Sequence, residues 1–152
     1  MALNPDFAGR EYPPSASYVV GREKIREFAA AVGEANAACT DVEAAQAAGY
    51  PDLVAPPTFG IVLSMRASEA VILDPDLGLD YSRVVHGEQR FAFTRPIVAG
   101  DELLVATTIE SIRSMAGNDL IMTRGDVLTA SGEAVLITHS LLVARGPDED
   151  AP

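Results

Sequence analysis

Few side chains in this 152-residue sequence could carry chemistry, and several of them stand in one short stretch, Val32-Gly33-Glu34-Ala35-Asn36-Ala37-Ala38-Cys39. General acid-base catalysis needs a group that titrates near the working pH. An imidazole does so, and an ordinary thiol, with a pKa of about 8.5, does so less well. Glu34 is therefore an acid with no imidazole beside it, and Cys39 reads as a small, partly buried side chain. Asn36 can position a ligand or hold the loop by bonding to backbone; a short amide among small residues favours the second role.

The remaining candidates are dispersed. His86 stands beside Glu88 in an extended segment and reads as a surface or interface residue, whereas His139 alternates with Ile137 and Leu141 and is expected to face the core with a hydrogen-bond partner. Glu69 falls near the end of an apolar helical segment, where it is either a catalytic carboxylate or a solvated one. No Gly-x-Ser-x-Gly elbow occurs, which argues against a Ser/His/Asp hydrolase. Cys39 is the only cysteine, so an intrachain disulfide, a CxxC motif and a Cys/His zinc site are all excluded. Neither a metal nor a cofactor is expected.

These residues need a scaffold, and the hydrophobic pattern outlines one. Ile25, Phe28, Ala29 and Val32 recur at helical spacing between Gly21 and Gly33, predicting an amphipathic helix ended by a glycine. Thr40-Asp41-Val42-Glu43 has the spelling of a capping box and opens a shorter helix that ends near Gly49. The acidic loop is thus a link between two helices. Pro56-Pro57-Thr58 then opens Phe59 to Leu73, apolar nearly all round and so expected to be buried on most sides. Beyond Asp80 the period changes to two. Val85, Phe91 and Phe93 share one face, Leu103, Val105, Thr107 and Ile109 another, Met122 and Val127 fall in a third run, and Val135, Ile137, Leu141 and Val143 in a fourth. Turn residues at Pro96 to Asp101, Ala116-Gly117-Asn118 and Ser131-Gly132 separate them into an antiparallel meander. Tyr18-Val19-Val20 adds a short first strand. The layout is α+β, with a sheet wrapped around an apolar helix.

The chain is the right size for one domain, with 48% hydrophobic and 22% charged residues. Its divisions are an N-terminal arm over residues 1–17, the folded domain over 18–145 and an acidic tail over 146–152 that is expected to be disordered. A net charge of -11 and a pI near 4.4 argue against nucleic acid or an anionic membrane as partner. The longest apolar run, Leu53 to Met65, is interrupted by Pro56-Pro57 and is too short to span a bilayer. Without a basic leader followed by an apolar run, the expected compartment is the cytoplasm.

Four further stretches carry a resemblance: Gly21-Arg22-Glu23-Lys24-Ile25-Arg26-Glu27-Phe28, Leu53-Val54-Ala55-Pro56-Pro57-Thr58-Phe59, His86-Gly87-Glu88-Gln89-Arg90-Phe91, and Arg95-Pro96-Ile97-Val98-Ala99-Gly100-Asp101. With the acidic loop, they make the chain resemble the MaoC-like dehydratase N-terminal family. Within it, the chain is most similar to the small actinobacterial proteins that form the non-catalytic subunit of a (3R)-hydroxyacyl-ACP dehydratase. The resemblance implies a single hot-dog fold, a dimer whose sheets join edge to edge, and an acyl-thioester channel between the subunits.

Catalytic members of that family carry Gly-Asp-x-Asn-Pro-x-His, whose Asp and His share a water molecule. Gly33 and Asn36 match the pattern; Glu34 stands for the Asp, Ala37 for the Pro and Cys39 for the His. Catalytic members also place a His-Gly pair after the alanine matching Ala55, and the glycine amide donates to the thioester carbonyl. Pro57 falls there and has no N–H to give; removing such a donor costs about 2.7 to 4 kcal/mol of transition-state stabilisation. Pro57 also suits the first turn of a helix. Ala55, Pro56, Pro57, Thr58 and Phe59 are the expected substrate-binding positions. The resemblance therefore implies a substrate-binding subunit of a hydro-lyase, with catalysis supplied by a MaoC-like partner. The alternative assembly is a homodimer, and the ligand is acyl-ACP or acyl-CoA. The other readings are a self-sufficient hydratase using Glu34, a thioesterase using Glu69 and a non-enzymatic acyl-binding module.

Overall fold

The computed structural model describes residues 3–146, so the expected disorder of the tail falls almost wholly outside the described residues. Five strands form one antiparallel sheet in the order β1-β3-β4-β5-β2, where β1 is Tyr18–Val19, β2 Val84–Phe93, β3 Glu102–Met115, β4 Asn118–Thr129 and β5 Ala134–Arg145. Three helices precede the long strands: α1 (Arg22–Val32), α2 (Val42–Ala47) and α3 (Gly60–Ile72). The β3–β4 hairpin turns on Ala116 and Gly117, both at positive φ (50° and 77°), which matches the twist of the strands it joins.

On β3 the expected face points inward: Leu103, Val105, Thr107 and Ile109 are buried. On β5 Val135 of the expected face is buried, but from Leu136 onward the expectation is reversed. Leu136, Thr138 and Leu142 are buried beneath α3, while Ile137, His139 and Leu141 lie on the outer face. His139 is thus not a core histidine; its Nδ1 lies 3.2 Å from Glu110 Oε2 on that outer surface. Both faces of β5 are apolar, so alternation alone could not say which is inside; a bulge that leaves Val135 as an extra residue opposite Val127 and Leu128, and another in β2 between His86 and Glu88, shift the parity of the pairing.

The sheet curls around α3, which buries Gly60, Leu63, Ser64, Ala67 and Val71 along one stripe. The burial is one-sided, contrary to the expectation from its composition: Met65 is 61% exposed, Leu73 just beyond the helix is 74% exposed, and Arg66, Glu69 and Ala70 also face out. The buried residues form two clusters. One gathers α1, α2, the loop between them and Phe59, whose ring meets Phe28 edge-on at 5.3 Å. The other gathers Leu3, Phe7 and Tyr12 of the N-terminal arm with Val71, Leu77, Ile109, Ile121 and Leu142. The arm is docked along β3: the Tyr12 amide donates to Thr107 O (2.9 Å) and the Ser15 amide to Val105 O (2.9 Å).

Candidate functional site

The loop after α1 is shaped by its own polar groups. Gly33 adopts the left-handed conformation (φ 71°) that closes the helix, and the Glu34 amide returns to Ala29 O at 2.8 Å. Glu34 Oε1 accepts from the Asn36 amide at 2.9 Å, and Asn36 Oδ1 accepts from the Ala38 amide at 3.0 Å, starting a single 3₁₀ turn over Ala37–Cys39. Asp41, rather than Thr40, then caps α2 by accepting from the Glu43 amide at 2.9 Å. The expected reading of Asn36 as a loop-holding residue matches this geometry. The turn buries Cys39 to 2% exposure. Burial, and after it the charge of Glu34, pushes the Cys39 thiol above its ordinary pKa, so at neutral pH the group is a protonated thiol.

Two hydrogen bonds fix the opposite wall. The Val54 amide donates to Ala38 O (3.0 Å) and the Ala55 amide to Ile97 O (2.9 Å), which suspends Leu53-Val54-Ala55 between the loop and the turn after β2. The pocket so enclosed has a volume of about 370 Å³. Glu34, Asn36 and Cys39 line one side, and Ala55, Pro56 and Pro57 another. Thr58 and Phe59 do not line it. Thr58 is exposed on the turn, and Phe59, expected at the substrate, is fully buried in the core. An aromatic residue that ends a turn ahead of an amphipathic helix goes to the core side because its burial is worth more there than at an open pocket.

Pro57 is not the first helical residue. It occupies the second position of a turn closed by the Phe59 amide on Pro56 O (2.9 Å), the place in which proline's fixed φ fits best, and α3 starts three residues later. The amides of Ile61 and Val62 return to Thr58 O and Phe59 O, so these early amides of α3 are already engaged.

Sequence reasoning did not single out Tyr50, Phe93 or Arg95, which complete the pocket with Val54, Thr94 and Pro96. Tyr50 follows Gly49 at the end of α2, and its amide donates to Ala45 O at 3.0 Å. Arg95 is pinned on all sides: Nη1 and Nη2 bind Asp101 at 2.9 and 3.0 Å, Nε binds Glu133 at 2.8 Å, and Nη1 also reaches Pro96 O at 3.0 Å. These carboxylates raise its pKa further above the ordinary arginine range and leave it a structural clamp with little charge to offer a ligand. The Arg95-Pro96 to Gly100-Asp101 stretch carries the clamp in sequence; nothing local carries Tyr50 or Phe93.

The other candidates lie elsewhere. Neither His86, exposed on β2, nor Glu69, exposed on α3, lines the pocket. Among the described residues no cluster of His, Cys, Asp and Glu could hold a metal ion, and no helix is long and apolar enough to cross a membrane.

Residues 6–138 match the family described as FAS1-like, dehydratase domain region. The chain belongs to this family. Its relatives include a UPF0336 protein of Streptomyces coelicolor, 58% identical over 98% of this chain and 99% of the relative, and one of Saccharopolyspora erythraea, 55% identical over 99% and 96%. Among solved structures, a MaoC-like dehydratase superposes with a TM-score of 0.86 at 36% identity, covering 96% of this chain; the chain spans only 44% of that protein's length. The C-terminally truncated HadBC (3R-hydroxyacyl-ACP dehydratase) complex of Mycobacterium tuberculosis gives a TM-score of 0.80 at 34% identity, covering 92% of this chain and 99% of that one. The family fold is the MaoC-like hot-dog, and the five-stranded sheet curled around α3 has it.

Proposed function

We propose that this chain is the substrate-binding, non-catalytic subunit of a (3R)-hydroxyacyl-thioester dehydratase of fatty-acid biosynthesis, paired with a MaoC-like subunit that carries an intact Asp-and-His loop. The observation that carries the reading is the state of the acid and base positions. The Glu34 carboxylate is bonded to the Asn36 amide of its own loop, and Cys39 is a buried thiol whose ionisation is opposed both by burial and by Glu34. A reaction that takes a proton from one carbon and returns a hydroxyl as water needs a group that cycles between both forms, and this thiol does not. Pro57 removes a further element, because the residue placed to offer its amide to a thioester carbonyl has none. The walls of Val54, Ala55, Pro56, Pro57 and Phe93 still enclose a volume suited to part of an acyl chain. A solved neighbour that is itself a complex of hot-dog subunits supports the pairing.

Enoyl-thioester hydration tests the reading. The purified chain is expected to show negligible turnover, and activity is expected to arise with the partner. Cys39→His alone should not restore it. The missing base and the missing oxyanion donor are worth about 10²–10⁴ and about 10²–10³ in rate, and one repair leaves the other deficit. A Glu34→Asp/Cys39→His/Pro57→Gly variant is the complete repair. Robust wild-type turnover that Glu34→Gln abolishes would sink the proposal and make Glu34 a working acid-base residue.

A further inference from the structure

We propose that the narrow gap between α3 and the sheet is a binding site for one ordered water molecule, which joins helix to sheet between the two apolar clusters. The buried polar residues among those described are Ser64, Thr107, Thr123 and Thr138, each at least nine-tenths buried, and all of them line this one gap. The strand register shows why they converge. Thr107 stands opposite Gly125 and Gly125 opposite Thr138, an inward row across β3, β4 and β5, and Thr123 stands opposite Ser140 in the next row. From the helix come Ser64 and Ser68, one turn apart on α3. On one side of these rows Val105, Val127 and Leu136 belong to the first apolar cluster; on the other, Ile109, Ile121 and Leu142 belong to the second. None of the gap's residues lines the pocket at Glu34, so the site is independent of the acyl reading.

The protein does not use up these hydroxyls. Ser64 Oγ and Ser68 Oγ donate to the carbonyls of Ile61 (3.3 Å) and Met65 (2.7 Å), which leaves both oxygens able to accept. Thr138 Oγ1 accepts from Gln89 Nε2 at 3.0 Å and keeps its own proton to give, whereas Ser140 Oγ spends its proton on Gln89 Oε1 at 2.6 Å. Among the described residues no hydrogen bond engages the hydroxyl of Thr107 or of Thr123, and neither oxygen is sealed from a water-sized neighbour. The space that both line is the gap. Its volume of about 10 Å³ is the room of a single water and of nothing larger. Hydroxyls buried without a partner are unfavourable, and a water that accepts from the threonines and donates to the serine oxygens removes that cost. An apolar occupant would not. Gly125 holds the row together, because a Cβ there would lie 2.9 Å from Val105 Cγ1 and 3.2 Å from Thr138 Cγ2.

The test is a crystal structure of the purified protein at a resolution that orders its surface water, with a Thr107→Val/Thr123→Val variant beside it. Valine keeps nearly the shape of threonine and removes the hydroxyl. Wild type is expected to show one solvent peak in the gap, within about 3.2 Å of the Thr107 or Thr123 hydroxyl and of at least one other of the gap's hydroxyl oxygens. The variant should lose that peak while its backbone superposes on wild type. A dry gap in wild type would overturn the site, whatever the variant does. A peak that persists unmoved in the variant would overturn it as well, because the two unpartnered threonines would then not be what holds the water. If the double variant does not fold, Thr123→Val alone is judged by the same loss of the peak, with Thr123→Ser, which restores the hydroxyl, expected to keep it.

Discussion

Glu34 and Asn36 each accept a backbone proton from the residue two further on, and both bonds lie within the span of the degenerate motif. Asn36→Ala removes the acceptor that starts the Ala37–Cys39 turn and is expected to cost about 1 kcal/mol in urea unfolding, as loss of an N-cap does. Glu34→Gln keeps an amide oxygen at the same place and should cost less than about 0.5 kcal/mol. A larger loss from Glu34→Gln than from Asn36→Ala would contradict this account of the loop. Cys39 gives a pH prediction. Its folded pKa is raised, first by burial and then by Glu34, above that of the unfolded chain. The thiol's contribution is therefore whole below the unfolded value of about 8.5 and declines as pH rises through the folded one, because unfolding then releases a proton. Melting curves should show wild type losing more stability than Cys39→Ala between pH of about 8 and about 10; parallel curves would refute it. The same burial should leave the thiol slow to react with an alkylating reagent until urea unfolds the chain.

The loop cannot hold a pocket alone, and the elements around it are tied by Arg95. This residue joins the end of β2 to Asp101 ahead of β3 and to Glu133 ahead of β5. Asp101 is 11% exposed and also accepts from the Val98 amide at 2.9 Å, so it would be left partly desolvated without its partner. Arg95→Ala is expected to cost about 2 kcal/mol in denaturant unfolding, mostly through Asp101, since the exposed bond to Glu133 adds little. Arg95→Lys should recover only part of this, because an ammonium cannot make the paired contact; full recovery would show that charge alone matters. The clamp also shows where the sequence was legible. Periodicity located α1, α3 and the four long strands, since each has a repeat of its own. It failed on β5, where Ile137 and Leu141 compete with Leu136 and Leu142 for the inner face and only the seat of α3 decides. The loop between α1 and α2 was readable because Gly33, Glu34, Asn36 and Cys39 lie close in sequence. Tyr50, Phe93 and Arg95 reach the pocket from separate elements, and Phe59, although next to the site in sequence, is turned away from it by the Pro56–Phe59 turn.

At the scale of the whole molecule, the two borders of the sheet are unequal. On the β3 side, the arm and β1 run along the strand through Tyr12, Ser15 and Tyr18, taking up its free backbone groups. On the other side β2 is the last strand among the described residues, ten residues long, with Val85 47% and Phe93 41% exposed. An uncovered strand of that length is a template for another chain. The exposed half of α3 adds apolar surface at Met65, which a single protomer leaves in water. Under the proposed function these features suit a protomer that is half of an assembly, either with a second copy or with a catalytic subunit. Sedimentation at micromolar concentration should give at least a dimer for the purified chain or for its mixture with the partner, and monomer in both would count against this. Met65→Asp combined with Leu73→Asp should weaken association while leaving circular dichroism and the monomer's unfolding midpoint nearly unchanged, since both side chains are more than half exposed in the protomer. If the double variant instead unfolds the chain, these residues belong to the core of the protomer and the outward face of α3 has been misassigned. If it folds and associates as wild type does, the assembly uses the β2 border alone, and a Phe93→Pro substitution in that strand, which removes an amide that points away from β5, becomes the change expected to dissociate it.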